Sequence, residues 1–242
     1  MLTKFVAVGV VSLIGFGCGT QTSESSAVSR QGADSCATLV VHEAADVSRI
    51  ANCRSVDGDV VIEGSSLANL HGLEGIQRIS GSLVIAGNAN LTSLDGLDSL
   101  NDVGFVVIAD NATLNSVSSL RNLSHAKGTT IVASPALTSL HGLESLRSLE
   151  GLVLTNTNLK SIEGLSNLEQ VGDLILADNP RLESLASLTR LQTVENLDIE
   201  HNQRLSIMGP FGAVSSPCTD GVVAAHWSRV IKQRADEPAT RS

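Results

Sequence analysis

Seven segments of the chain, GDVVIEG, GSLVIAGN, FVVIADN, TTIVASP, LVLTNT, DLILADN and NLDIEHN, superimpose at a nearly constant interval. One apolar column runs through Ile62, Ile85, Ile108, Ile131, Leu154, Leu176 and Ile199, in steps of 23, 23, 23, 23, 22 and 23 residues. A second column, two positions earlier, holds Val60, Leu83, Val106, Thr129, Leu152, Leu174 and Leu197. Spacing by two puts both columns on the buried face of a strand. A fixed period of this length means stacked coils, each contributing one strand and none able to bury its apolar edge alone.

The remainder of each unit carries apolar residues at every third position, as in Leu91, Leu94, Leu97, Leu100 and Val103, or Leu182, Leu185, Leu188, Leu191 and Val194. A period of three suits neither an α-helix nor a regular strand, but it suits short extended and turn segments around a coil. Three residues after the Ile column stand Asn88, Asn111, Asn179 and Asn202, with Ser65, Ser134 and Thr157 in the other coils. Asn tolerates a tight corner and its amide can bond the backbone of the next coil, so this column is structural. The fold expected is an all-β solenoid, a β-helix of about seven coils and about 33 Å long at about 4.8 Å per coil. Its two ends need caps. Residues 44–50 place Val47 and Ile50 at helical spacing, and residues 220–234 (DGVVAAHWSRVIKQR) read as an amphipathic helix with Val223, Trp227, Val230 and Ile231 on one face.

Cys36 and Cys53, in a C-x16-C segment followed by SVDGDVVIEG and repeated GxLxI units, resemble the receptor L-domain family. Pro217-Cys218 followed by His226-Trp227-Ser228-Arg229-Val230-Ile231 is similar to that family's closing Cys and helix. The resemblance covers about residues 35–234 and implies a right-handed β-helix of the kind found in ligand-binding ectodomains of insulin- and epidermal-growth-factor-type receptors and in bacterial surface proteins. It further implies a disulfide between Cys36 and Cys53 that clamps the front helix, a closure worth about 3 kcal/mol. Cys218 lacks the downstream partner its family counterpart has, so it is either a buried cap thiol or a thiol free to join another molecule. The Cys-rich modules that follow L-domains in receptors are missing, which argues against receptor-like signalling.

The N-terminus reads as a targeting segment. Lys4 precedes an apolar run over residues 5–17, 13 residues long and too short to span a bilayer as a helix. The run stops at Cys18, and Gly17-Cys18 resembles the lipobox of bacterial lipoproteins. Residues 1–17 are then a signal peptide and Cys18 the lipid-modified first residue; ordinary secretion with an incidental Cys18 is the alternative. Residues 18–34 lack an apolar pattern and read as a flexible tether, and residues 235–242 as a disordered tail. By the lipoprotein resemblance, Gly19 after the Cys favours sorting to the outer membrane, so the expected location is the bacterial cell envelope.

Sixteen Lys and Arg against 25 Asp and Glu give a net charge of −9, with the cations scattered, which excludes nucleic acid as a partner. Only Phe5, Phe16, Phe105, Phe211 and Trp227 are aromatic, too few for sugar or single-strand stacking platforms. No nucleophile elbow, phosphate loop, zinc-protease motif or calcium loop is present. One column, His71, Asp95, Ser118, His141, Glu163 and Ala186, is expected to stack His71 beside Asp95 and His141 beside Glu163. Each such pair offers two ligands, which makes them solvated turn residues. Neither a cofactor nor an enzymatic activity is expected.

Between the two buried columns lies an outward one: Val61, Val84, Val107, Thr130, Val153, Ile175 and Asp198. Beside it run Glu63, Ala86, Ala109, Val132, Thr155, Ala177 and Glu200. Six adjacent β-branched residues make an apolar ribbon, either because such side chains favour sheets or because the ribbon docks a partner. In receptor L-domains the outward positions of this strand contribute to ligand contact, so Val84, Val107, Thr130, Val153 and Ile175 are the candidate binding residues. The expected role is a surface-tethered module for a protein or cell-surface ligand, held to the membrane by its lipid. The alternative is a structural or adhesive envelope component that self-associates, or packs on a neighbour, through the same face.

Overall fold

The computed structural model describes residues 35–50 and 52–206. Eight strands form one parallel sheet in chain order. They are β1 (Ser35–Val41), β2 (Ser55–Glu63), β3 (Arg78–Ala86), β4 (Asp102–Ala109), β5 (His125–Val132), β6 (Ser148–Thr155), β7 (Gln170–Ala177) and β8 (Thr193–Glu200). Parallel pairing of each strand with the next requires the chain to travel back to its starting edge every time, so the fold is a β-solenoid of about seven turns.

The register follows the repeat. Ile62, Ile85, Ile108, Ile131, Leu154, Leu176 and Ile199 are successive ladder partners, as are Val60 through Leu197 two positions earlier. Both columns face a single core, and only Leu197, on the last strand, is less than fully buried. Thr129 is the one polar residue in these columns; it is buried, and its hydroxyl has no hydrogen-bond partner.

One strand more is present than the repeat predicts. β1 pairs with β2 through Leu39↔Val60, Val40↔Val61 and Val41↔Ile62, with a register shift between Ala37 and Leu39. Its connection to β2 contains a short helix, α1 (Ala44–Ile50), where the Asp46 carboxylate accepts the His42 and Glu43 amides at 3.0 and 3.2 Å. The unit is therefore shorter than the others and lacks their period of three. The Cys36–Cys53 disulfide, with Cα atoms 5.8 Å apart, ties β1 to the residues before β2, as the resemblance implied.

Each period-of-three run is a chain of reverse turns. Leu97 donates its amide to the Leu94 carbonyl and Leu100 to that of Leu97, both at 3.1 Å; Leu143 and Leu146 repeat this with Leu140 and Leu143 at 3.2 Å. An i to i+3 bond at every third residue turns the same side chain inward each time, which is why these Leu are all buried.

Two further ladders fix the corner after each strand. Gly64, Gly87, Asp110, Ala133, Asn156, Asp178 and His201 all adopt left-handed backbone, φ between 49° and 64°. One residue after Gly87 and Asp110, the chain has turned and the Asn column begins with Asn88 and Asn111. Asn88 donates its side-chain amide to the Ile62 carbonyl at 2.9 Å and accepts the Ser65 amide at 2.8 Å. Asn179 does the same for Leu154 and Thr157, at 2.9 and 3.1 Å. The amide thus bonds the backbone of the preceding coil, satisfying groups that would otherwise be buried without partners.

The signal peptide over residues 1–17, Cys18, the tether over residues 18–34, Cys218, the helix over residues 220–234 and the tail over residues 235–242 lie outside the described residues.

Candidate functional site

The outward column is held in register across the sheet as Val40, Val61, Val84, Val107, Thr130, Val153, Ile175 and Asp198. Val40 on β1 extends the ribbon by one strand and is its most open member, 51% exposed. The parallel column, Glu63, Ala86, Ala109, Val132, Thr155, Ala177 and Glu200, is likewise in register, with carboxylates at both ends. The strands therefore bring all five candidate residues, Val84, Val107, Thr130, Val153 and Ile175, into one continuous row.

Their exposure is uneven. Val84, Thr130, Val153 and Ile175 are half-buried, whereas Val107 is 2% and Val132 3% exposed. This corrects the expectation that Val107 and Val132 point freely to solvent. Val107 sits between Val84 and Thr130 across the ladder and between Phe105 and Ala109 along its own strand. At a strand spacing of about 4.8 Å, branched neighbours on four sides leave little of a central Val to touch. Val107 and Val132 stand apart from the main core, in the two outward columns of the sheet. A partner would meet Val84, Thr130, Val153 and Ile175 more than Val107.

Phe105 belongs to this face and the outward column omits it. It is in register with Ser82 and Gly128, and a Cβ built on Gly128 would approach the Phe105 ring to 3.0 Å, so Gly128 makes room for the ring. It is partly exposed and is the one aromatic residue among the described residues. The signal that hides it is a register shift: β3 carries an extra residue between Ile79 and Ser82 relative to β4, which breaks simple alternation upstream of Val107.

The His–carboxylate pairs resolve into turn devices, with different partners from those the stacking of coils suggests. His71 Nδ1 lies 3.1 Å from Glu74 Oε1, and the other Glu74 oxygen accepts the Gly72 amide at 2.7 Å. His141, Gly142 and Glu144 repeat this at 2.9 and 2.8 Å. The pairing is i, i+3 within one His-Gly-Leu-Glu turn, because that turn folds the carboxylate back over its own start. Hydrogen bonds from its own amide and from Gly72, with His71, hold the Glu74 carboxyl below its ordinary range against the opposing effect of burial. Burial pushes the Glu144 carboxyl up, but His141 and the amides of Glu144 and Gly142 outweigh it and lower it. Asp95 is lowered by the hydroxyls of Ser93 and Ser119, helped by the charge of His71 and Arg121. Among the described residues no three His, Cys, Asp or Glu side chains converge as a metal site would require.

Residues 52–115 match the Receptor L domain family, within the longer span of about residues 35–234 over which the sequence resembles it. That family points to a ligand-binding role in general terms. No curated protein matches the chain.

Proposed function

We propose that this chain is a non-catalytic recognition module, tethered to the bacterial cell envelope by lipid on Cys18 and binding a protein or cell-surface ligand through the outer face of its sheet. The observation that carries this reading is the row Val84, Val107, Thr130, Val153 and Ile175, kept in register over five adjacent strands with Phe105 beside it. An apolar row of this length on a face opposite the core is the surface feature of the described residues best suited to desolvation by a partner. A rigid parallel sheet needs no reordering to bind, which lowers the entropic cost of association. The His–Glu turns spend both carboxylate oxygens on their own imidazole and backbone, so they are read as turn devices and not as part of the recognition face.

The test is affinity capture by the full chain, comparing wild type with a Val153→Lys, Ile175→Lys double variant. Loss of the captured partner at unchanged melting temperature supports the reading. A shift of the variant to a smaller species on size exclusion instead favours self-association through the same face. A captured set that is identical in the two proteins overturns both.

A further inference from the structure

Upstream of the ribbon, where β3 to β6 begin, a groove of about 630 Å³ is lined by Arg78, His125, Lys127 and Arg147 together with Asp102 and Glu150. On a chain of net charge −9, this concavity gathers three permanent cations against two lining carboxylates. Two of them are oriented by neighbouring coils: Arg78 Nε lies 3.3 Å from Asp102, and Arg147 donates through one terminal nitrogen to Glu169 at 2.9 Å. Each pair engages only part of a guanidinium that has five N–H donors. Lys127 forms no ion pair among the described residues.

We infer that this groove receives a carboxylate side chain of an extended peptide whose apolar side chains lie on the ribbon. This rests on the reading of the outer face as a recognition surface and adds the chemistry of the partner. Three observations select that ligand. The free Lys127 ammonium and the part-used guanidinium of Arg147 suit an oxyanion. Asp102 and Glu150 in the same groove repel a uniformly charged polymer, such as a sulfated saccharide, but accommodate a peptide with isolated acidic residues. The groove and ribbon are continuous along single strands: Lys127 precedes Thr130 on β5, and Gly104, in the groove wall, is followed on β4 by Phe105 and Val107.

The experiment pans a random peptide display library on the full chain and on its Lys127→Glu and Val153→Lys variants, with melting curves for all three. Lys127 is exposed, so its replacement leaves the fold intact; Lys127→Gln serves as a second variant if charge reversal lowers the melting temperature. The expected result is enrichment of clones that combine an Asp or Glu with apolar residues nearby. Lys127→Glu should lower recovery of the acidic clones about tenfold, and Val153→Lys should remove the apolar preference. Apolar clones without acidic ones, unaffected at Lys127, would overturn the groove assignment and leave the ribbon standing. Acidic clones recovered equally by the Lys127 variants would place the carboxylate elsewhere and also overturn it. Retention on heparin that is lost in Lys127→Glu, without acidic peptide enrichment, would overturn it in favour of a polyanion. No enrichment on any of the three proteins would overturn both readings.

Discussion

The side-chain amide of Asn111 donates to the carbonyl oxygen of Ile85, 2.8 Å away on the preceding coil, and both residues are fully buried. The Asn111 side-chain oxygen also accepts the backbone and side-chain amides of Asn88, each at 3.1 Å. Asn111→Ala would strand these groups in the interior, and a buried unpaired polar group costs about 1–3 kcal/mol. The expected loss in urea unfolding is about 4 kcal/mol, against less than about 1 kcal/mol for Asn122→Ala, whose exposed side chain makes one bond to the Asp98 carbonyl.

Thr129 occupies a column otherwise filled by Val and Leu, with its hydroxyl buried and unpaired. Thr129→Val keeps the shape and removes the unsatisfied group. It should stabilise the protein by about 1 kcal/mol in the same unfolding assay.

Ala133 holds φ at 49° in the corner column, where the first two coils have Gly64 and Gly87. Left-handed backbone costs a residue with a Cβ about 1–2 kcal/mol, partly offset here because glycine adds freedom to the unfolded chain. Ala133→Gly should therefore raise stability by up to about 1 kcal/mol. Gly87→Ala, whose new Cβ would meet nothing within 4 Å, should lower it by a similar amount through backbone strain alone. Chemical denaturation of the two variants gives opposite signs if the corner is as described.

What the sequence disclosed, and what it hid, follows from the range of each interaction. The inward columns were legible because a strand alternates with period two and the coil length fixes which residues meet, so Ile85 and Ile108 had to be ladder partners. β1 was not legible: Val41 faces Ile62 across a unit that holds a helix and a register shift instead of a reverse-turn run. Phe105 escaped for the same reason, through the extra residue in β3. His71 had carboxylates available both across the coils and within its turn, and only the turn geometry decides for Glu74. The candidate row itself was legible as a face, but the closure of Val107 was not, because it depends on side chains contributed by two other strands and by Phe105.

The lowered carboxyls of Glu74, Asp95 and Glu144 set an acid limit on stability. A group whose folded pKa is depressed stabilises the fold fully above its unfolded value, 4.5 for Glu and 3.8 for Asp, and loses that contribution as pH falls through the folded value. All three are largely solvated, so the effect is modest and screened by salt. Melting temperature should hold from neutral pH down to about 5 and decline below about 4.5. A Glu74→Gln, Glu144→Gln double variant should melt lower than wild type at neutral pH and show a shallower decline in acid. Parallel curves for the two proteins would mean that the His-Gly-Leu-Glu turns contribute nothing to the acid limb.

Val107 and Val153 share the outward row but differ in what surrounds them, and this separates a sealed position from a docking position. Val107 is 2% exposed between Val84 and Thr130, while Val153 is half-buried. Val107→Lys forces an ammonium among branched side chains and should cost about 2 kcal/mol unless the long stem carries the charge clear of the sheet. Val153→Lys should stay within about 0.5 kcal/mol, as surface substitutions do. The adjacent column offers a parallel comparison. Ile131→Asp, in the core, should cost several kcal/mol, and Val132→Asp, 3% exposed on the far face, should also cost more than about 1 kcal/mol. Calorimetric melts of the four variants test the arrangement directly. Near-neutral values for both Val107→Lys and Val132→Asp would show that the centre of the outer face is open in solution, and Val107 would then rejoin Val84, Thr130, Val153 and Ile175 as a position a partner can reach.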